Sequence, residues 1–216
     1  MLTNDNRRMI SDATYHTIDK PSVAEFKERG SKFIAYAFPI TSVNEFKLRL
    51  AEIKKEHPKA THHCFAYRLG LDKNNYRVSD NGEPSGSAGK PILGQIDSKQ
   101  LTNVLVIVVR YFGGTQLGIP GLITAYKTTA AFALQTTAIV QKPVLHHFKL
   151  QFDYTQMNEV MMLVRQFDCV IEKQEMQLFC EMNIAVPQNW LAEVENKLKD
   201  LRDVKIGKFL SENNFI

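Results

Sequence analysis

The sequence predicts an α+β protein of two domains. Its 216 residues are more than one typical domain and fewer than two large ones. The first part of the chain mixes strand and helix patterns, whereas residues 141–216 follow the order β-α-β-β-α-β. The charge changes at the same place: residues 1–140 hold 18 Lys+Arg against 12 Asp+Glu, net +6, and residues 141–216 hold 9 against 11, net −2. We therefore expect one domain over residues 1–140 and another over residues 141–216.

The first domain begins with strands and one well-marked helix. Strand patterns occupy three segments, residues 15–18, 22–28 and 31–40. Ser42 and Glu45 have the spacing of a capping box, which predicts the start of a helix. That helix should end at His57 and Pro58, because proline cannot continue it.

One apolar strand organises the rest of this domain. Around it we expect a strand, a polar loop and a short helix, over residues 62–69, 70–89 and 90–101. Residues 104–109, VLVIVV, are typical of a strand buried on both faces. The loop over residues 110–118 then leads into a long helix over residues 120–138. We therefore predict that the first domain is an α/β sandwich with a mixed sheet.

The second domain shows a regular alternation of patterns. We expect four strands, over residues 144–153, 169–175, 178–186 and 204–210, and two helices, over residues 155–167 and 187–201. This order is that of the ferredoxin-like plan. Residues 141–143, which include Pro143, should form the linker.

Composition excludes several classes of protein. No apolar run reaches the ~18 residues of a membrane span, so we expect no membrane partner. The N-terminal segment lacks the apolar core of a signal peptide, which makes the cytoplasm the expected location. Three cysteines without zinc spacing support neither a disulfide framework nor a structural metal site. We expect no metal and no cofactor.

Eight of the 11 glycines fall between residues 82 and 121, and seven of these eight lie in two candidate binding loops. The first loop, residues 79–91, reads SDNGEPSGSAGKP. Small residues there let backbone N–H groups converge on an anion, beside one lysine. The candidate anion ligands are Ser85, Gly86, Ser87, Gly89 and Lys90, and the candidate acids or magnesium ligands are Asp80 and Glu83. Pro84 and Pro91 exclude a Walker A loop, and a tight multiple turn without a ligand is the alternative.

The second loop, residues 110–121, reads RYFGGTQLGIPG. A buried strand that runs into glycines and a helix is a common place for anionic ligands. Arg110 can bind phosphate, Tyr111 or Phe112 can stack on a base, and backbone groups of Gly113 and Gly114 can contact the ligand. The dinucleotide motif G-x-G-x-x-G is absent. The alternative is that the glycines only turn the chain and Arg110 pairs with an acid such as Glu83.

His62, His63 and Cys64 form a third, weaker candidate. They are too few for zinc, and their adjacency in sequence gives no catalytic geometry. A Cys64 nucleophile with a histidine base remains an alternative to the interpretation that they are strand residues.

Three stretches carry a resemblance to a known family. They are HHCFAY at residues 62–67, SDNGEPSGSAGKPIL at residues 79–93 and VVRYFGGTQLGIPGLITAY at residues 108–126. In order and spacing they resemble the YigZ/IMPACT family, and residues 141–216 resemble the elongation-factor-G-like accessory domain of its bacterial members. The chain departs from the family pattern at two places: Asn81 stands where aspartate is usual, and Ile119-Pro120 stand where the family has Ala-Gly or similar before Gly121. Pro120 removes one N–H from the second loop.

The resemblance implies a fold and a function. The N-terminal domain should resemble the second domain of a small-subunit ribosomal protein. Eukaryotic members regulate translation through protein partners, and the bacterial members are linked to nucleic acid or the ribosome. We therefore expect a non-enzymatic, translation-associated protein that binds RNA, the ribosome or a translation-related protein through the glycine-rich, basic domain. The alternative is an enzyme or binder of a phosphorylated small molecule or nucleotide at residues 82–91.

Overall fold

The computed structural model of the protein describes residues 13–72 and 74–208. These form two compact units, residues 16–141 in one and residues 13–15 with 142–208 in the other. Both units combine helices with sheets, which confirms the α+β class. Residues 209 and 210, the end of the last predicted strand, lie outside the described residues.

The first part of the chain contains seven strands and three α-helices among its described residues. In order they are β1 (Thr14–Ile18), β2 (Ser22–Glu28), β3 (Ser31–Pro39), α1 (Val43–Glu56), β4 (His62–Leu69), β5 (Asn75–Ser79), α2 (Gly89–Ser98), β6 (Val104–Tyr111), α3 (Gly118–Gln135) and β7 (Ile139–Pro143). Five of the strands form an antiparallel sheet in the order β2-β3-β6-β4-β5. Strands β1 and β7 form a separate pair.

The five-stranded sheet is covered on both faces. Val104, Val106 and Val108 of β6 belong to a core shared with α2 and α3. The alternate residues of β6 belong to a second core, with Phe46 and Ile53 of α1. Strand β6 is therefore buried on both faces, as its continuous apolar run predicts.

Helix α1 begins with a variant of the predicted cap. The Ser42 hydroxyl oxygen accepts a hydrogen bond from the Glu45 N–H at 3.2 Å. The Glu45 carboxylate accepts from the Thr41 N–H at 2.8 Å, one residue earlier than the usual capping box requires. Both bonds satisfy donors at the start of the helix, and the helix ends at Glu56, before His57.

Two strands were missed by the sequence prediction. Strand β5 lies within the predicted loop 70–89, and β7 includes the predicted linker 141–143. Both strands are polar or exposed and each pairs with a single partner strand, β4 for β5 and β1 for β7. Such edge strands lack the alternation of apolar and polar residues that a half-buried strand shows.

The second unit has the element order β-α-β-β-α-β. Its elements are β8 (Leu145–Phe152), α4 (Met157–Gln166), β9 (Val170–Met176), β10 (Cys180–Pro187), α5 (Leu191–Asp200) and β11 (Lys205–Lys208). The sheet order is β11-β8-β10-β9, with each neighbouring pair antiparallel. Its core joins β8 and β10 to Val160 and Leu163 of α4 and to Val194 of α5. Among the described residues of the chain, no helix is long and apolar enough to span a membrane.

Candidate functional site

One end of the five-stranded sheet brings the two glycine-rich loops together. Arg110, near the end of β6, lies opposite Phe33 of β3 on one side and His62 of β4 on the other. The loop after β5 lies at the same end, because the Cys64 thiol of β4 donates to the Asp80 carbonyl at 2.9 Å. We call this region, formed by residues 29–31, 59–62, 80–90 and 110–117, the loop end of the sheet.

Arg110 is buried at the loop end. Its Nη1 donates to Glu83 Oε1 at 2.7 Å, and its Nη2 donates to the Ser31 hydroxyl at 3.3 Å. The guanidinium carbon also lies 5.4 Å from the ring centroid of Phe33 and 5.5 Å from that of Phe112. The predicted role of Arg110 as a phosphate ligand is therefore corrected: the guanidinium is engaged inside the protein, in the pairing with Glu83 that the sequence left as the alternative.

Glu83 is the centre of this buried network. Its Oε1 also accepts a hydrogen bond from the Tyr126 hydroxyl of α3 at 2.8 Å, and its side chain is only 3% exposed. His62 Nε2 lies 3.7 Å from the same oxygen. Because Oε1 already accepts from two donors and the side chain is buried, the structure argues against the predicted role of Glu83 as a base or magnesium ligand and favours a structural one. No cluster of metal-binding side chains occurs among residues 13–72 and 74–208.

The first glycine-rich loop forms an anion cradle that holds its own carboxylate. Asp80 Oδ1 accepts from the N–H groups of Ala88 and Gly89 at 3.0 and 2.8 Å, and Oδ2 accepts from that of Gly86 at 2.8 Å. Partial burial raises the pKa of Asp80, but these three bonds and the charge of Lys90 outweigh that effect and hold the pKa below its usual value. The predicted phosphate contacts of Gly86 and Gly89 are therefore corrected, because Asp80 occupies both N–H groups.

The other candidates of this loop separate into buried and exposed residues. Ser87 is buried, and its hydroxyl donates to the Pro84 carbonyl at 2.6 Å, which removes it from the set of available ligands. Ser85 and Lys90 are exposed. Lys90 lies in the first turn of α2 and remains available to contact a ligand.

In the second loop, the two aromatic residues have different environments. Tyr111 is partly buried and packs against the core under α1, with its hydroxyl 2.8 Å from His57 Nδ1, which argues against stacking of its ring on a base. Phe112 is half exposed and sits on the Arg110 guanidinium. The alternation of a strand predicts this difference between Tyr111 and Phe112. Neighbouring residues of β6 lie on opposite faces, so Tyr111 lies on the same face as Val109, toward the core.

Gly113 and Gly114 differ in what surrounds their backbones. The N–H of Gly113 donates to the Ser31 hydroxyl at 3.2 Å, and a Cβ at Gly113 would lie 1.9 Å from the Gly30 carbonyl carbon. Only glycine permits this close approach of two backbones. Gly114 has a φ of +85° and open space around its Cα, so its backbone is accessible.

Cys64 and Tyr126 belong to the same network. Burial raises the pKa of the Cys64 thiol to about 12, and it raises the pKa of the Tyr126 hydroxyl as well. The Cys64 sulfur also lies 3.3 Å from the Tyr126 hydroxyl oxygen. A buried thiol of high pKa is a poor nucleophile, which argues against the alternative of a catalytic Cys64. Nothing in the sequence pattern marked Tyr126, because its role depends on a residue 43 positions away.

Exposed cations surround this network. Arg29 and Lys32, at the turn between β2 and β3, pair with Glu28 and Glu25. Lys59 and Lys90 are exposed and form no ion pair with any other described residue. The loop end therefore combines a buried hydrogen-bond network with positive charge at the surface.

Comparisons with known proteins agree with the sequence motifs. The family model described as the Impact N-terminal domain matches residues 29–134. The chain is 35% identical over 180 residues to IMPACT family member YigZ of Escherichia coli (strain K12), covering 82% of this chain and 87% of the relative. It is 28% identical over 205 residues to IMPACT family member YvyE of Bacillus subtilis (strain 168), covering 88% and 91%. Protein IMPACT of Rattus norvegicus is 29% identical over 115 residues, 50% of this chain and 36% of that protein.

A solved structure shows a similar fold over most of the chain. It is described as the crystal structure of a hypothetical protein, and it is 30% identical in sequence with a TM-score of 0.71. The similarity covers 93% of this chain and 99% of the other. The likeness therefore includes both units rather than the glycine-rich one alone.

Proposed function

We propose that this chain, which belongs to the IMPACT family, is a non-enzymatic, translation-associated regulatory protein that binds RNA, free or on the ribosome, through the loop end of its first unit. The family resemblance supplies the link to translation. A translation-related protein is the alternative partner, and the expected location is the cytoplasm.

One observation carries the choice of binding over catalysis. The candidate reactive groups at the loop end, Asp80, Glu83 and Cys64, are all engaged in hydrogen bonds inside the protein. A catalytic acid, base or nucleophile needs to reach its substrate. The exposed groups are instead the ammonium groups of Lys59 and Lys90 and the glycine backbone, which suit contacts to a phosphate chain.

The charge of the first unit supports an anionic partner. Residues 16–141 hold 16 Lys+Arg against 10 Asp+Glu, a net of +6. Positive charge on one unit attracts polyanions, because neutralised phosphates release their counterions. Residues 142–208 hold 9 Lys+Arg against 10 Asp+Glu, a net of −1, and we propose a structural or protein-contact role for the second unit.

We also propose the finer fold assignment. The second unit is ferredoxin-like, which its element order and its sheet order β11-β8-β10-β9 support. The first unit resembles the second domain of a small-subunit ribosomal protein, and the domain boundary lies near residue 141. Likeness of fold alone assigns no function, so the RNA contact rests on the surface groups.

Co-sedimentation with ribosomes at low salt tests the proposal. The wild-type protein should pellet with ribosomes, and the double variant Lys59→Ala/Lys90→Ala should pellet less. The matched control is Lys127→Ala/Lys199→Ala, which removes two exposed lysines, one on α3 and one on α5 of the second unit. Equal loss in both double variants would show only a general effect of charge, and no co-sedimentation of the wild type at low salt would refute ribosome binding.

A further inference from the structure

Phe112 is the exposed aromatic residue of the loop end. We propose that its ring is a stacking platform for one unpaired RNA base, so that the loop end takes single-stranded rather than double-stranded RNA. This inference rests on the proposed function and specifies which form of RNA the site binds.

The ring of Phe112 is held in place from behind. Half of the residue is exposed, while the Arg110 guanidinium lies 5.5 Å from the ring centroid. Arg110 cannot move away easily, because Glu83 and Ser31 hold two of its nitrogens. The cation contacts one face of the ring and leaves other parts of the ring accessible. Because this contact already restricts the side chain, ordering of the ring on binding would cost less conformational entropy.

The backbone on either side of the ring is also fixed. The Phe112 N–H donates to the Thr61 hydroxyl at 3.3 Å, which ties the residue after β6 to the residue before β4. The next N–H, of Gly113, is bound to Ser31. Gly114, two residues further along the chain, also borders open space, because a Cβ there would meet nothing within 4 Å. A half-exposed aromatic side chain on a fixed backbone can accept a flat ligand with little rearrangement.

The surroundings of Phe112 favour a nucleotide over a purely apolar ligand. Lys59 lies two residues before Thr61, which contacts the Phe112 N–H, and Lys90 lies in the first turn of α2 at the same end of the sheet. Aromatic rings that stack on bases beside lysines that contact phosphates are the usual elements of single-strand binding. In double-stranded RNA the base faces are already stacked, so such a ring has no face to contact.

Ile119, which is 53% exposed, makes a protein partner the competing interpretation. Exposed apolar residues that occur together mark protein-binding surfaces. The two interpretations differ in what Phe112 must retain: a protein contact needs apolar area, whereas base stacking needs a planar ring.

Fluorescence anisotropy with two RNA probes tests the inference. One probe is an unstructured 12-nucleotide adenosine and uridine strand, and the other is a duplex of the same strand with its complement. The variants are Phe112→Leu, which keeps apolar area without a ring, and Phe112→Trp, which keeps a ring. The matched control is Phe132→Leu, since Phe132 is another exposed phenylalanine of this unit but lies near the end of α3.

We expect Phe112→Leu to weaken binding of the single strand about 5- to 150-fold, the range typical of one stacked base, with Phe112→Trp close to wild type. Binding of the duplex should be weaker and unaffected by either change. Binding of both RNAs with no effect of Phe112→Leu would overturn the inference and leave the proposed function intact. Absence of binding to either RNA would overturn the inference together with RNA as the partner in the proposed function, and would favour a protein partner.

Discussion

The Arg110 guanidinium and the Glu83 carboxylate form an ion pair with 2.7 Å between Nη1 and Oε1, and their side chains are only 6% and 3% exposed. Glu83 belongs to the first glycine-rich loop and Arg110 to the strand that leads into the second. The Tyr126 hydroxyl of α3 donates a hydrogen bond to the same carboxylate and so connects α3 to the pair. The pair therefore fixes the position of one loop relative to the other, and the shape of the exposed surface depends on it.

Removal of one partner should destabilise the protein strongly. Arg110→Met leaves a buried carboxylate without its counter-charge, and we expect the free energy of unfolding to fall by about 3–5 kcal/mol. Urea unfolding measures this loss. The double variant Glu83→Gln/Arg110→Met should lose less, because the amide oxygen still accepts from Tyr126 and no charge is left unpaired. A change below about 0.5 kcal/mol for Arg110→Met would contradict the central position of this pair.

Asp80 should stabilise the protein in a pH-dependent way. Its three N–H bonds favour the ionised form, so Asp80→Asn should lower the free energy of unfolding at pH 7 by about 1–2 kcal/mol. A carboxyl with a lowered pKa in the folded state contributes this stability above its unfolded pKa of about 3.9 and loses it as the pH falls through the folded value. The difference between wild type and variant should shrink from pH 5 to pH 3 in urea titrations. A constant difference across that interval would contradict the role assigned to Asp80.

Two glycines should respond to alanine in opposite directions. At Gly113 a Cβ would lie 1.9 Å from the Gly30 carbonyl carbon and 2.4 Å from the Ser31 nitrogen, so Gly113→Ala should lower stability by about 1–3 kcal/mol. At Gly94, inside α2, a Cβ meets nothing within 4 Å, and Gly94→Ala should raise stability by about 0.5–1 kcal/mol. Thermal unfolding of the two variants checks both signs. A similar shift in both would contradict the close approach at Gly113.

The Cys64 thiol should be unreactive in the folded protein. With a pKa of about 12, roughly one molecule in ten thousand carries the thiolate at pH 8, and the side chain is buried. Iodoacetamide at pH 8 should therefore modify Cys64 only after unfolding, as mass spectrometry of peptides can measure. Rapid alkylation of Cys64 in the native protein would reopen the alternative of a nucleophile.

The elements that the sequence predicted well are those with a strong local pattern. The apolar run of β6 predicts a strand buried on both faces, and the cap at Ser42 predicts the start of α1. Strands β5 and β7 lack such a pattern, because each is an edge strand with exposed or polar residues. Their positions depend on pairing with β4 and β1, which no local window contains.

At the candidate site, the sequence located the loops but not the state of their side chains. The N–H groups of the first loop do converge on an anion, and the anion is Asp80, which lies six to nine residues before those donors. The pairing of Arg110 with Glu83 spans 27 residues and remained one of two alternatives. The capacity of a loop to bind an anion follows from its local composition. Which anion its N–H groups bind, and whether a charged side chain is buried, depend on contacts that form only in the folded chain.

The salt dependence of RNA binding tests the central claim most directly. With single-stranded RNA, the logarithm of the association constant should fall linearly with the logarithm of salt concentration, and Lys59→Ala/Lys90→Ala should reduce that slope by about 1.4, or 0.7 for each lost phosphate contact. The control Lys127→Ala/Lys199→Ala should keep the wild-type slope. RNA binding that is absent at low salt, or a slope that the Lys59/Lys90 variant leaves unchanged, would contradict an RNA contact at the loop end.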